Sequence, residues 1–263
     1  PVRRGLDNFD TIRTDFFRDA TPIRLALKAG DIDFRAENQA KAWAEDYRVP
    51  MVEKGWLKKE LVPHRMPTGM QAFVMNTRRT RFSDPRVREA LGLAFDFEWT
   101  NRTLFNGQYT RTTSYFSNSD LASSGKPSGE ELAILERFRA QVPGAIFGEA
   151  YAPPKTDGSG WLRANLLRAG TLLEEAGWAV QDLKLVDAAG GEPFRFEILL
   201  VSPAFERVVL PYIRNLKRLG IEARIRLVDE SQYINRFRQF DFDMIVWVWG
   251  QSETPGNEQR EYW

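Results

Sequence analysis

The clearest pattern in the chain is the alternation in "IEARIRLV", Ile221 to Val228, where apolar and charged positions take turns. A period of two is that of a strand with one buried face. Pro203 to Leu219 precedes it at helical spacing and is closed by Gly220. Pro211 lies inside that helix, where it should remove a hydrogen bond and kink the axis. Ser231 to Gln239 reads as a further helix and "FDMIVWVW" as a strand. Upstream, "KLVD", a turn at Gly190-Gly191 and "PFRFEILLV" read as a hairpin. Strand, helix, strand, helix, strand indicates an α/β domain with an at least partly parallel sheet.

The earlier part mixes shorter pieces. "TPIRLALKAGDIDF" predicts a helix ending near Gly30 and then a strand through Ile32 and Phe34. "NQAKAWAEDY" predicts a helix; "WLKKELVPH" and "GMQAFVMNT" predict strands. Asp84 is a good N-cap and Pro85 suits the first helical position. Behind them Val87, Ala90, Leu91 and Ala94 repeat on one face. Asp96 can cap a second helix running to about Phe105 and stopping at Gly107. Residues 108–160 are loop-rich around a helix near Glu130 to Gln141. "WLRANLLRAGTLLEEAGW" is a helix with Leu162, Leu166, Ala169 and Leu173 on one face and Gly177 past its end.

Composition narrows the function classes. With 263 residues, 43% of them hydrophobic, the chain can build one large core or two smaller ones. Lys+Arg is 37 against Asp+Glu 36, so nothing suggests nucleic acid, which requires concentrated positive charge. No apolar run is long enough to cross a bilayer as a helix. The absence of cysteine excludes disulfides, thiolate metal sites and thiol catalysis. Residue 1 is proline, no signal peptide is visible, and "QREYW" carries no cap or polar tail. The chain therefore reads as a piece of a larger protein.

Candidate chemistry is sparse. His64, the sole histidine, reads as a strand-end residue, since no second histidine or cysteine exists to build a site around it. Glu130-Glu131 and Glu174-Glu175 read as solvated helix surface. "TDGSGW", Thr156 to Trp161, lacks the Walker lysine and the dinucleotide glycine spacing, and reads as a loop. The arginines of "NTRRTRF", Asn76 to Phe82, read as a solvated interdomain linker. Trp247 and Trp249 share one strand face. Two readings stay open for them: core packing, or a ligand platform at the carboxyl end of a sheet strand, with the polar groups of "GQSET" beside it.

"DPRVREALGLAFDFEWTNRTLFNGQY" resembles the opening of the second lobe of bacterial extracellular solute-binding proteins of family five. "ALKAGDIDF", "RAGTLLEEAGW" and "LKRLGIEARIRLVDESQYINRFRQFDFDMIVWVWG" are similar to its other landmarks, in the same order. "FDFEWTNRTLFNGQY" and "WGQSETPGNEQREYW" resemble the Yej-type branch, associated with peptide-like ligands.

The resemblance implies an α/β, periplasmic-binding-protein type II-like fold with two lobes and a mixed sheet in lobe two, lobe one being only partly present. It implies that residues 1–77 belong to lobe one, 78–243 form lobe two, and 244–263 carry the hinge-crossing strand and the start of a return. It implies a periplasmic, monomeric, non-enzymatic component of an ABC importer, without cofactor, that hands a peptide-like ligand to a membrane permease. Ligand contacts would then come from Trp247, Trp249, Gly250, Gln251, Ser252 and Glu253, with Gln71 and Phe73 on the strand feeding the hinge. One departure stands out: Gly250 and Gln251 occupy the place where peptide binders of this family often carry an aspartate for the amino terminus. A hydrolase using Glu253 or Asp243, and a ligand-sensing module without transport, are the competing readings.

Overall fold

The computed structural model describes residue 5 and residues 8–262. The chain divides into two compact units, Pro1–Leu61 and Val62–Trp263.

The first unit holds α1 (Ala20–Ala29), α2 (Ala40–Glu45) and α3 (Pro50–Glu53). Asp19 caps α1 by accepting from the Thr21 N–H, and Gly30 ends it in the left-handed conformation. Among the described residues its buried hydrophobic groups are few: Leu27, Ala40, Ala42 and Tyr47. Phe16, by contrast, is 93% exposed. The strand expected through Ile32 and Phe34 is absent, and so is the one expected over "WLKKELVPH". Phe34, Trp56, Leu61 and Val62 are exposed. A β-propensity pattern without a neighbouring strand to pair with stays irregular.

The unit is organised by the Glu37 carboxylate. It accepts from the Tyr47 hydroxyl at 2.9 Å and from the Gln39 N–H at 3.0 Å, and Arg35 donates to it at 3.1 Å. Burial by itself pushes this carboxyl up. The hydrogen bonds from Arg35, Gln39 and Tyr47 outweigh burial and hold it below the ordinary carboxylate range. A carboxyl depressed in the folded state contributes stability above its unfolded value and loses it as pH falls through the folded value. Unit one should therefore loosen as pH drops below the usual glutamate range. Hydrogen exchange at the Tyr47 amide measures this, and Glu37→Gln should flatten that part of the acid dependence.

The second unit is built on a four-stranded sheet. β1 (Met70–Met75) is followed by α4 (Pro85–Leu93), α5 (Phe97–Leu104), α6 (Gly129–Glu136) and α7 (Arg163–Glu175). Then come β2 (Trp178–Gln181), β3 (Lys184–Asp187), β4 (Arg195–Leu200), α8 (Glu206–Arg218), β5 (Glu222–Leu227), α9 (Glu230–Arg238), β6 (Met244–Trp249) and the short α10 (Gln259–Tyr262). Asp84 and Asp96 cap α4 and α5 as expected, accepting from the N–H groups of Arg86 and Trp99. The helix read as Glu130 to Gln141 is shorter, ending at Glu136. α8 runs through Pro211 as one helix.

The strand order is β1-β6-β4-β5. β4 is parallel to both β5 and β6, whereas β1 runs antiparallel to β6 with Phe73 opposite Val246. The sheet is thus mixed. Phe196, Ile198 and Leu200 of β4 join Val87 and Leu91 of α4, Leu173 of α7 and Leu216 of α8 in the larger core. Leu199 and Ile245 point the other way, into a smaller core with Val228, Tyr233 and Phe242. This alternation makes a three-layer sandwich in which β4, covered on both faces, reads as a continuous apolar run.

The expected hairpin of "KLVD" with "PFRFEILLV" forms only at its turn end, where the Phe194 N–H donates to the Leu185 carbonyl at 2.7 Å and the Asp187 N–H to the Glu192 carbonyl at 2.8 Å. β3 pairs antiparallel with β2, a strand the sequence reading did not assign. The antiparallel Val186–Pro193 bridge belongs to that short hairpin, and β4 beyond it joins the main sheet. The run from β4 satisfies more apolar surface between two layers than an isolated hairpin could offer it.

"NTRRTRF" is tethered rather than free. Asn76, 4% exposed, donates from Nδ2 to the carbonyls of Phe240 and Phe242, both at 2.9 Å. Arg79 pairs with Asp241 at 3.2 Å, Arg78 lies 3.6 Å from the centre of the Phe240 ring, and Phe82 is fully buried. Asn76→Ala leaves two carbonyls short of a donor. It should cost about 2 kcal/mol in urea unfolding, the order expected for stranded buried polar groups.

Candidate functional site

β4 and β6 run parallel, so their carboxyl ends lie at the same edge of the sheet, the edge where open α/β sheets bind ligands. Trp249 ends β6 there. Its indole meets the Tyr115 ring edge-on, with centres 6.2 Å apart and planes at 84°. Burial raises the Tyr115 phenol above its ordinary pKa, so it is neutral at physiological pH. Gly69 passes directly beneath: a Cβ there would stand 2.6 Å from the Trp249 carbonyl oxygen. Only a residue without a side chain allows that approach.

Past the strand, Gly250 is exposed and open around its Cα. Gln251 accepts at Oε1 from Gln259 Nε2 at 2.6 Å. Its own Nε2 is buried and has no hydrogen-bond partner among the described residues. The Ser252 hydroxyl donates to the Thr254 carbonyl at 2.8 Å, and Glu253 is exposed.

The remaining expected residues go elsewhere. The Trp247 ring is stacked on Phe237, 4.3 Å between centres at 11°, against the smaller core. Phe73 is stacked on Tyr212 at 5.2 Å and set edge-on to Phe95, against the larger core. Gln71 is exposed and pairs with Val248 across β1 and β6. The fold thus gathers Trp249, Gly250, Gln251, Ser252 and Glu253 at one strand end, while Trp247 and Phe73 pack against the two cores. Tyr115, which completes the aromatic corner, was not singled out in the sequence. It lies in a Ser- and Thr-rich loop 134 positions away, with no periodicity to mark it.

The carboxylate candidates are engaged structurally or solvated. Asp243 Oδ2 accepts from the Glu197 N–H at 3.0 Å and its Oδ1 lies 3.6 Å from Arg79. Glu130, Glu131, Glu174 and Glu175 are exposed. His64 is held at its backbone, its carbonyl accepting from Asn118 Nδ2 at 2.9 Å. Among the described residues no group of three or more His, Cys, Asp or Glu could hold a metal ion. Among them, too, no helix is long and apolar enough to cross a membrane.

A mixed sheet between helical layers, joined in this order, is the fold of the periplasmic-binding-protein type II class. The oligopeptide-binding protein AppA of Bacillus subtilis, solved with a nonapeptide, superimposes with a TM-score of 0.61 at 21% identity, covering 90% of this chain and 40% of that one. The model of bacterial extracellular solute-binding proteins, family 5, matches residues 3–263, and the chain belongs to that family. It is 47% identical over its whole length to the uncharacterized protein y4wM of Sinorhizobium fredii. It is 46% identical to the probable peptide-binding protein YejA of Agrobacterium fabrum. The chain spans 40% and 43% of the length of those two relatives. Family and fold are those of binding proteins rather than enzymes.

Proposed function

We infer that this chain is part of the substrate-binding component of an ABC importer, and that the complete protein takes peptides or peptide-like compounds between two lobes. Residues 78–243 form lobe two in this reading, residues 1–77 contribute to lobe one, and β6 carries the chain across the hinge. The observation that carries it is a half-buried Trp249 at the end of β6 followed two residues on by Gln251, whose Nε2 has no hydrogen-bond partner among the described residues. A buried N–H donor without an acceptor is costly, and a ligand carbonyl would satisfy it. The Trp249–Tyr115 corner supplies apolar contact at the same strand end. Peptides present carbonyls at regular spacing next to apolar side chains. A relative is named as a probable peptide-binding protein, and a solved structural neighbour holds a nonapeptide.

Ligand touching both lobes stabilises the closed state, because only that state offers both sets of contacts. The closed form is then what a membrane permease meets outside the cytoplasm. With Gly250 and Gln251 in place of an acid, this edge has no carboxylate for a free ammonium at those positions. Amino-terminally blocked peptides should therefore bind as well as free ones. A thermal-shift screen of the complete gene product against free peptides, acetylated peptides and oligosaccharides tests this, since bound ligand raises apparent stability by mass action. Stabilisation by both peptide sets supports the reading. Stabilisation by sugars alone, or cleavage of the peptides during the assay, overturns it.

A further inference from the structure

A cavity of about 240 Å³ opens between α5, α8 and the loop of residues 156–161. It shares no lining residue with the Trp249 edge. Its volume is several times the ~30 Å³ that a water molecule occupies in the liquid. Asp96, 4% exposed, lines it. One carboxylate oxygen of Asp96 is committed: Oδ1 accepts from the Trp99 N–H at 3.0 Å and lies 2.5 Å from the Thr156 hydroxyl. The other, Oδ2, is buried without a hydrogen-bond partner among the described residues. Buried carboxylate oxygens are normally satisfied, so this one calls for a donor.

The same cavity is lined by Arg214 and Arg218, one turn apart on α8. Arg218 lies 5.2 Å from the centre of the Trp161 ring and donates to Asn215 Oδ1 at 3.3 Å. Both end in planar guanidinium groups suited to bidentate contact with a carboxylate. Trp99 forms a further wall. Gly160 lies so close to its indole that a Cβ would sit 3.1 Å from Cδ1, which keeps the loop tight against the ring. The lining therefore combines the Asp96 carboxylate, the Arg214 and Arg218 guanidinium groups and the Trp99 indole.

We propose that this cavity binds a small zwitterion of the amino-acid class, its ammonium group donating to Asp96 and its carboxylate held by Arg214 and Arg218. The site is separate from the proposed peptide edge and stands or falls independently of it. The test is a titration of the complete gene product, labelled with ¹⁵N at tryptophan and followed at the Trp99 indole N–H. The probes are glycine and β-alanine, with acetate and methylammonium as single-ended controls. Both zwitterions should shift the Trp99 resonance saturably, and each control should bind roughly tenfold more weakly or worse. Arg214→Glu, at an exposed position, should weaken zwitterion binding by at least about tenfold. Asp96→Asn, which retains an N-cap, should do the same. The Trp249 indole reports the peptide edge separately and should not move. A Trp99 signal that does not saturate overturns the proposal. So does acetate binding as tightly as glycine, or unchanged binding in Arg214→Glu.

Discussion

Gly220→Ala is expected to be among the most damaging single-methyl changes in the second unit. Gly220 follows the C-terminus of α8 with φ +79°, a region that costs a residue with a side chain free energy of its own. A Cβ there would also stand 2.6 Å from the Leu185 nitrogen and 3.0 Å from the Lys184 carbonyl carbon. These are backbone atoms of β3, so no rotamer change can relieve the overlap. The close approach exists because the Gly220 carbonyl accepts from the Leu185 N–H at 2.8 Å, tying the end of α8 to the β2–β3 pair. Strain and overlap together should lower unfolding free energy by about 3 kcal/mol or more. Chemical denaturation followed by circular dichroism measures it, and a loss under about 1 kcal/mol would mean that β3 shifts freely.

Trp247→Ala should be comparably severe, and Trp249→Ala should not. The two side chains share a strand face but have different neighbours. Trp247 closes the smaller core, its ring parallel to Phe237, which itself stacks on Phe242 at 6.3 Å. Removing it empties space beneath α9 beside Leu199 and Ile245, members of the same core. The expected loss is about 3 kcal/mol, the lower end for a large aromatic replaced by alanine, because Trp247 is only partly buried. Trp249 meets the Tyr115 ring edge-on and ends its strand, so its removal should cost about 1 kcal/mol. Equal losses for the two variants would show that Trp249 too is chiefly a packing residue.

Much of the second unit was legible along the chain because its signals are local. Asp84, Asp96 and Pro85 mark helix starts through groups within three positions of one another. The alternation of "IEARIRLV" survives as alternating burial of β5 up to Arg226, while Leu227 is exposed. The parallel sheet follows from strands separated by helices. What failed depended on distant partners. Gly190-Gly191 is a sound turn signal, yet β3 pairs backward with β2, and β4 enters the main sheet between β5 and β6. "WLKKELVPH" has strand-forming residues and no strand to meet. The tryptophans show the same limit at the site. A shared face was readable from their spacing, but their separate fates are set by Phe237 and by Tyr115, whose positions only folding reveals. Asp96 was readable as a cap; its second partner, Thr156, lies 60 positions on.

The most direct test of a ligand site at the carboxyl edge of β6 is calorimetric titration of the complete gene product with an acetylated tripeptide, in parallel with its Trp249→Ala and Gln251→Ala variants. Saturable binding that weakens about tenfold or more in each variant, while their melting temperatures stay close to that of the parent, is the predicted result. Peptide binding that is absent, or that both variants retain at full strength, would contradict it.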